Sequence, residues 1–165
     1  MSFLARSLLQ VSRSTVQPQF ALATRAMSTE MKFTFSSPAE VFYDQATTVK
    51  QVDVSTLSGS VGILANHVPI LAALKPGVVA VTDMEGAVKK FFVSSGSVAV
   101  NPDSSVQLLA EEAFPVEVLD ARAAEEHLNT AKNSLASAKD DVERAEAQIA
   151  IDTTEAIIRA ATSGQ

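Results

Sequence analysis

Two histidines and a scattering of carboxylates are the side chains of this sequence best suited to chemistry. The chain has 165 residues and no cysteine, and its histidines are His67 and His127. Thiolate nucleophiles, disulfides, iron–sulfur clusters and cysteine-based zinc sites are therefore excluded, as is a site with three histidine ligands. Neither a Gly-x-Ser-x-Gly nucleophile turn nor a G-x-x-x-x-G-K-S/T phosphate loop occurs. The sequence predicts no metal, no cofactor and no catalytic residue.

His67 is the more informative histidine because it lies in the apolar segment Asn66-His67-Val68-Pro69. A structural histidine, hydrogen-bonded to the loop backbone, is the favoured interpretation, and contact with a partner protein is the second. A further alternative is a β-sandwich hydrolase in which His67 acts with Asp53 or Glu40. His127 lies among polar residues of a predicted helix, and we interpret it as a surface residue.

Charge divides the chain into a basic leader and an acidic body. The 13 Lys and Arg residues against 19 Asp and Glu give a net charge of -6, which argues against a nucleic-acid-binding protein.

Residues 1–27 contain three arginines, several serines and threonines, and no acid. This composition predicts a disordered, cleaved organellar transit peptide, which the family resemblance given below implies to be mitochondrial, with an ordinary basic tail as the alternative. No run approaches the roughly 18 apolar residues of a membrane span, so we predict no direct membrane insertion.

Short apolar or alternating segments, separated by turn residues, fill the first part of the body. Such spacing predicts an antiparallel β-sandwich or barrel. The turn signals include Lys75-Pro76-Gly77, which suits a type II turn because proline fixes φ and glycine accepts the positive φ that follows. The ten candidate strands are residues 32–35, 41–45, 49–54, 61–64, 68–74, 78–82, 88–93, 97–100, 106–110 and 115–118.

A helical hairpin is predicted after Asp120, because residues 120–163 contain no proline, glycine or aromatic residue. Asp120 is a natural N-cap, and Ser137-Ala138-Lys139-Asp140 carries a capping-box-like pair before a second helix over about 141–161. This helix carries two apolar stripes and can therefore contact two neighbours. One of the stripes consists of residues 147, 151, 154 and 158. The predicted packing residues of the hairpin are Ala121, Ala124, Leu128, Ala131, Leu135, Val142, Ala145 and Ile149. Because alanine buries little area, we expect the hairpin to depend on the sandwich or on a partner.

The segment GSVGILANHVPILAALKPGVVAV, residues 59–81, resembles the signature of one family, the small central-stalk subunit of F-type ATP synthases. This subunit is called delta in mitochondria and epsilon in bacteria. Two further blocks, residues 92–100 and 106–113, match strands of the same family, and the resemblance extends over residues 31–164. The matching positions in the first block are Gly62, Ile63, Leu64, Asn66, His67, Pro69, Leu74, Lys75, Pro76 and Gly77.

The resemblance implies an α+β fold, with a ten-stranded antiparallel β-sandwich over residues 28–118 and a helical hairpin over residues 119–165. It implies a non-catalytic rotor subunit, one per complex, that couples rotation of the membrane proteolipid ring through the gamma subunit to ATP synthesis. The implied location is the matrix side of the mitochondrial inner membrane. The implied partners are gamma, the small mitochondrial epsilon subunit and the proteolipid ring. The implied ring-side contact is a loop comprising Ser60, Val61, Gly62, Ile63, Leu64, Asn66 and His67.

The sequence departs from the family pattern in two places. Some bacterial relatives bind ATP through a Leu/Ile-Asp-x-x-Arg-Ala motif at the start of the first helix. Here Arg122 follows Asp120 one residue early, which rotates the guanidinium by about 100° on a helix, so we predict no ATP sensing. Ser60 occupies a position that is often acidic in bacterial relatives. A nucleotide-sensing regulator and a generic β-sandwich adaptor or chaperone remain alternatives.

Overall fold

A computed structural model of the chain describes residues 30–163. Ten strands precede a 3₁₀ turn and two helices, which confirms the predicted α+β class. The strands are β1 (Lys32–Ser36), β2 (Val41–Ala46), β3 (Val49–Thr56), β4 (Gly59–Leu64), β5 (Ile70–Leu74), β6 (Gly77–Asp83), β7 (Val88–Val93), β8 (Gly96–Val100), β9 (Ser105–Ala110) and β10 (Ala113–Pro115). The 3₁₀ turn covers Val116–Val118, and the helices are α1 (Ala121–Ser137) and α2 (Asp141–Ser163). The predicted transit peptide lies outside the described residues, and the domain boundaries stay predictions.

The strands hydrogen-bond in the order β10-β7-β6-β3-β5-β8-β9-β1-β2, with β4 added on β3. Neighbours run antiparallel except for β1 and β9, which are parallel, with Phe33 beside Val106 and Phe35 beside Leu108. The prediction of a wholly antiparallel sandwich is therefore wrong at this pair. A parallel pair needs a long connection, and the seven strands between β1 and β9 supply it.

The prediction of the last strand is wrong over part of its length. Residues 115–118 were expected to be extended, but the strand ends at Pro115 and the chain turns into the 3₁₀ segment. The amide of Leu119 donates to the carbonyl of Val116 at 3.2 Å, which closes this turn. Proline has no N–H to continue a strand ladder, so the sheet ends here and the chain leaves toward α1.

Alternation in the strands places one set of side chains in a single apolar core. Phe33, Phe35 and Leu108 are completely buried there. The ring of Phe35 stacks on that of Phe42 at 4.8 Å between centroids and meets that of Phe91 edge-on at 5.3 Å. Five aromatic rings of the described residues thus meet in this core, where they contribute much buried area: Phe33, Phe35, Phe42, Tyr43 and Phe91.

The helix caps agree with prediction at α1 and differ at α2. Asp120 accepts hydrogen bonds from the amides of residues 122 and 123 at 2.9 and 3.2 Å, as an N-cap does. At α2 the carboxylate of Asp140 accepts from the amide of Glu143 at 2.7 Å, and the carboxylate of Glu143 accepts from the amide of Lys139 at 2.8 Å. The capping pair therefore starts at Asp140 rather than at Ser137. Ser137 still belongs to α1, and its hydroxyl donates to a carbonyl of that helix.

The packing residues predicted for the hairpin are covered on α1 and exposed on α2. The α1 face is inward: Ala124 and Ala131 are buried, and residues 121, 128 and 135 are half-buried. Val142 and Ile149, however, are 66% and 65% exposed, and Ala145 is exposed as well. The stripe to which they belong reaches the sheet at Ala156, which is buried with Phe92. The other stripe of α2 faces α1 instead, with residues 147 and 154 lining the groove between the helices.

The last third of α2 joins the hairpin to the outer face of β6 and β7. Phe92, which is 3% exposed, is buried with Ala156 and Ala160, and Val78 packs beside them. The ammonium of Lys90 donates to the carbonyl of Ser163 at 3.0 Å. Only this end of the hairpin buries apolar area on the sheet, so Phe92 is the side chain on which the attachment depends most.

We expect Phe92→Ala to release the hairpin and leave the sandwich folded. Truncating a buried phenylalanine costs about 3–5 kcal/mol, and here that loss falls on the contact with α2. Hydrogen exchange of the α2 amides should accelerate strongly, while exchange in β3 and β9 stays slow. Leu109→Ala, at an exposed site on β9, is the matched control and should change neither. Unchanged exchange of α2 in Phe92→Ala would contradict this account of the attachment.

Candidate functional site

The predicted contact residues form an edge strand and the turn after it, rather than one loop. Gly59–Leu64 is β4, which pairs with β3 in an unbroken antiparallel register. The strand predicted over residues 61–64 is confirmed, and the loop implied by the resemblance is corrected, because Val61 and Ile63 alternate into the core, opposite Val54 and Val52. Ile63 is completely buried and Val61 is half-buried, so Ile63 is not available to a partner. The exposed members on this strand are Ser60, Gly62 and Leu64.

The backbone of β4 is bonded on one side only within the described sheet. The carbonyl of Ser55 accepts from the amide of Lys75, and the amide of Leu57 donates to Ala73, both at 3.1 Å. The odd-numbered residues Ser55 and Leu57 therefore direct their backbone hydrogen bonds toward β5 and the residues after it. The even-numbered residues of β3 direct theirs toward β4. Because bonding alternates along a strand, the peptide groups of residues 60, 62 and 64 point to the free edge.

Gly62 leaves room for its neighbour across the strand pair. A Cβ built at this position would lie 2.9 Å from a carboxylate oxygen of Asp53. That same oxygen accepts a hydrogen bond of 2.7 Å from the side-chain amide of Gln51. The missing side chain lets the Gln51–Asp53 pair lie over β4, beside the exposed edge.

The turn at Asn66 and His67 follows β4 directly. Asn66 adopts a left-handed conformation with φ of 62°, and the amide of His67 donates to the carbonyl of Leu64 at 3.1 Å. The ring of His67 is half-buried, with Nδ1 donating to the carbonyl of Val68 at 2.8 Å. This confirms the interpretation of His67 as a structural histidine bound to its own loop.

The residues of the alternative hydrolase site are not brought together. Glu40 lies in the turn between β1 and β2, at the opposite end of the sandwich from His67. Asp53 is engaged with Gln51 on the outer face of β3. Within residues 30–163, no hydrogen bond joins His67 to either carboxylate, so the structure supplies no base–acid pair there.

The two ends of β4 belong to different ends of the sandwich. One end of the sandwich, which we call the distal end, is formed by the turns at residues 65–69, 84–87 and 101–104. The other end, which we call the hairpin end because α2 passes it, is formed by the turns at residues 57–58, 75–76 and 94–95. Ser60 lies near the hairpin end and His67 at the distal end. A strand rises about 3.3 Å per residue, so Ser60 to Leu64 extends over roughly 13 Å, and the turn at residues 65–67 lies beyond it. We call the exposed and half-buried set the β4 stripe: Ser60, Val61, Gly62, Leu64, Asn66 and His67.

A second turn at the distal end contacts the β4 stripe, and sequence reasoning missed it. The hydroxyl of Ser104, in the turn between β8 and β9, donates to the side-chain oxygen of Asn66 at 3.2 Å. Ser104 is 8% exposed and has φ of 66°, again in the left-handed region. The Asn-Pro-Asp-Ser composition of residues 101–104 indicates a turn, but no local signal names Asn66 as its partner.

The same turn holds a carboxylate with a shifted pKa. The hydroxyl of Ser105 donates to Asp103 at 2.7 Å, and the amide of Ser105 donates to the same oxygen at 3.1 Å. Hydrogen bonds to the charged form stabilise it. They lower the pKa of the Asp103 carboxyl below its ordinary value, with the hydroxyl bond as the largest cause.

The start of α1 and the groove beside it complete the search for a ligand site. The Asp120 carboxylate is occupied as the N-cap, while the exposed guanidinium of Arg122 lies 3.8 Å from Glu126. A groove of about 640 Å³ between α1 and α2 is lined by His127, Ala131, Glu146 and other small or polar residues.

Across residues 30–163 no cluster of three or more candidate ligands could hold a metal ion. No helix in that range is long and apolar enough to cross a membrane.

The chain is similar to proteins of known identity over nearly its whole length. Residues 30–116 match the family described as ATP synthase, Delta/Epsilon chain, beta-sandwich domain. A Caenorhabditis elegans protein named ATP synthase subunit delta, mitochondrial, is 50% identical over 145 residues, covering 88% of each chain. A protein of the same name from Eremothecium gossypii is 40% identical over 154 residues, covering 93% of each. A chain of the Euglena gracilis mitochondrial ATP synthase, solved as OSCP/F1/c-ring, superposes with a TM-score of 0.76 at 24% identity, covering 88% of this chain and 89% of that one.

We expect Ser105→Ala to raise the pKa of Asp103 toward its ordinary value, because the strongest hydrogen bond to the carboxylate is lost. A carboxyl pKa lowered by folding contributes stability above the unfolded pKa, and this contribution disappears as the pH falls through the folded pKa. In Ser105→Ala that pH-dependent contribution should shrink. NMR titration of the Asp103 side-chain carbonyl measures the shift, and Ser60→Ala should leave it unchanged. An identical titration midpoint in Ser105→Ala would show that the hydroxyl is not the cause.

Proposed function

The chain belongs to the ATP synthase delta/epsilon family, and from this we propose that it is a non-catalytic central-stalk subunit of a mitochondrial ATP synthase. In this role it transmits rotation of the proteolipid ring through the gamma subunit to the catalytic head. The observation that carries the proposal is the identity of half the residues with a mitochondrial delta subunit over 88% of both chains. The sandwich and hairpin, shared with a chain of an F1/c-ring complex, support it at the level of the fold.

The proposed role needs stiffness rather than reactive groups. Each charge that crosses 100 mV supplies about 2.3 kcal/mol, so several must contribute to one ATP, and the joint that carries the torque should deform little. A close-packed interior has low compressibility, and here Phe33, Phe35 and Leu108 are sealed in one core. Strand pairing of β3 with β4, unbroken over its length, and with β6, which has one register shift, adds resistance to shear.

We assign the β4 stripe to contact with the proteolipid ring. Its support is the family signature at residues 59–81 together with the exposed edge that the strand presents. Ile63 is left out of the contact because it is buried. With roughly 13 Å of strand and the turn beyond it, the stripe offers an extended contact rather than a single point.

The exposed residues of α2 are assigned to a second partner. Val142, Ala145 and Ile149 continue a stripe whose far end, at Ala156, is buried on Phe92. Apolar side chains that continue a buried stripe beyond its support indicate a surface covered in the assembly. We propose the small mitochondrial epsilon subunit as the partner there, with one copy of this chain per complex, at the matrix side of the inner membrane.

Purification of the assembled complex tests the proposed role. The chain, tagged at its C-terminus and expressed in mitochondria, should copurify with gamma, the small epsilon subunit and the proteolipid ring. Native mass measurement should give one copy of this chain per gamma. Recovery of the chain mainly alone, or in a complex without gamma, would overturn the proposal. A tagged Phe92→Ala chain, with its hairpin released, should lose the small epsilon subunit first.

Single cysteines test the assignment of the β4 stripe, because the chain has none of its own. Ser60→Cys and His67→Cys, each carrying a benzophenone maleimide, should crosslink to rotor proteins in assembled complexes, with the proteolipid among them. Gln107→Cys, exposed on the outer face of β9, is the matched control and should capture none. Capture of only other copies of this chain, or equal capture from residue 107, would contradict the assignment.

A further inference from the structure

We propose that Ser104 is a positioning residue for the distal end of the β4 stripe. Its hydroxyl, bound to Asn66, holds the turn at residues 65–67 in the conformation that meets the rotor partner. This inference rests on the proposed function, since the contact it serves is the one assigned to that stripe. It adds a residue from a different hairpin, 38 positions along the chain from Asn66.

Both partners of this hydrogen bond adopt an uncommon backbone conformation. The φ angles are 62° at Asn66 and 66° at Ser104. The left-handed region is unfavourable for non-glycine residues, less so for asparagine than for serine, and the conformation persists where surrounding contacts hold it. The side-chain bond of 3.2 Å joins the two turns at the residues that adopt it. Each turn thus supports the other at its least favourable position.

The Ser104 side of the contact is firmly held. The amide of Asn101 donates to the carbonyl of Ser105 at 2.9 Å, and the amide of Ser104 donates back to Asn101 at 3.1 Å. The side chains of Asn101 and Ser105 are hydrogen-bonded at 2.9 Å, and Ser105 also binds Asp103. β8 and β9 continue this turn into the paired sheet. The hydroxyl of Ser104 is therefore presented from a fixed point.

The Asn66 side is held mainly by local contacts. His67 donates from its amide to Leu64 and from its ring to Val68, both within the same short segment. Such contacts shape the turn but do not fix where it lies relative to the sheet. The bond from Ser104 supplies a tie to a separate hairpin, so it fixes the position of the turn.

The turn carries apolar side chains that only a fixed backbone can present consistently. Val68 is 67% exposed, and Leu64 and Leu71 on either side of the turn are exposed as well. Ordering a mobile segment on binding reduces affinity, so a segment held in place beforehand binds better. Ser104 contributes in this way without touching the partner, because it is itself buried.

Four variants separate the hydrogen bond from the backbone conformation. Ser104→Gly and Asn66→Gly both tolerate a positive φ, and each removes one partner of the bond. Asn66→Asp keeps the accepting oxygen and is the conservative rescue. Gln45→Gly is the matched control, because Gln45 also has a positive φ, of 45°, and an exposed side chain. Each is combined with Val68→Cys, which supplies the only cysteine in the chain.

Two measurements are made on every variant. Hydrogen exchange of residues 65–69 is followed in the full chain, and benzophenone crosslinking from Val68→Cys is quantified in the assembled complex. Losing one net hydrogen bond should raise local exchange roughly fivefold in Ser104→Gly and Asn66→Gly. Crosslinking to rotor proteins should fall by a similar factor in those two variants, while Asn66→Asp and Gln45→Gly behave like the parent.

The outcomes distinguish this inference from the proposed function. Unchanged exchange in Ser104→Gly and Asn66→Gly overturns the positioning role while leaving the ring assignment intact. Faster exchange with undiminished crosslinking also overturns it, since the bond would then serve the fold alone. Failure of the parent Val68→Cys chain to capture any rotor protein overturns the assigned contact, and the positioning role falls with it.

Discussion

The register of β3 against β4 determines which side chains of this protein can meet a partner. Val52 and Val54 are buried opposite Ile63 and Val61, and this pairing commits the alternate residues of β4 to the outside. A slip of one residue would bury the polar set and expose the apolar one, which the core could not tolerate. Three features follow from this one pairing. They are the exposed edge of β4, the close approach of Asp53 to Gly62 and the position of the turn at Asn66.

Local patterns in the sequence predicted the elements well but not their mutual placement. Short apolar or alternating segments between turn signals located the strands, with the last one placed two residues too late, and the lack of glycine and proline after Asp120 located the hairpin. The parallel pairing of β1 with β9 joins segments far apart in sequence, and no local pattern encodes it. Nor could the phase of α2 be read from the sequence, because it carries two apolar stripes and only the position of Phe92 decides which faces the sheet.

For the candidate site, the strand could be predicted from the sequence and the turn that contacts it could not. Val61 and Ile63 continue the alternation of β3 across a short turn, so residues 61–64 were predicted as a strand although the family resemblance implied a loop there. Ser104 could not have been found, because its role depends on two turns that meet only when β5, β8 and β9 are assembled.

The position of the contact residues on an edge strand, rather than in a loop, strengthens the case for a mechanical role. A loop transmits force through a flexible backbone, whereas β4 is bonded to β3 through six consecutive residue pairs and anchored in the core by Ile63. Displacing its outer edge under load therefore requires those pairs to shear together. At the distal end, where strand pairing stops at Leu64, that support is lost, and the bond from Ser104 lies one turn beyond this point. Stiffness is thus supplied first by pairing and then by a side chain that reaches across from another hairpin.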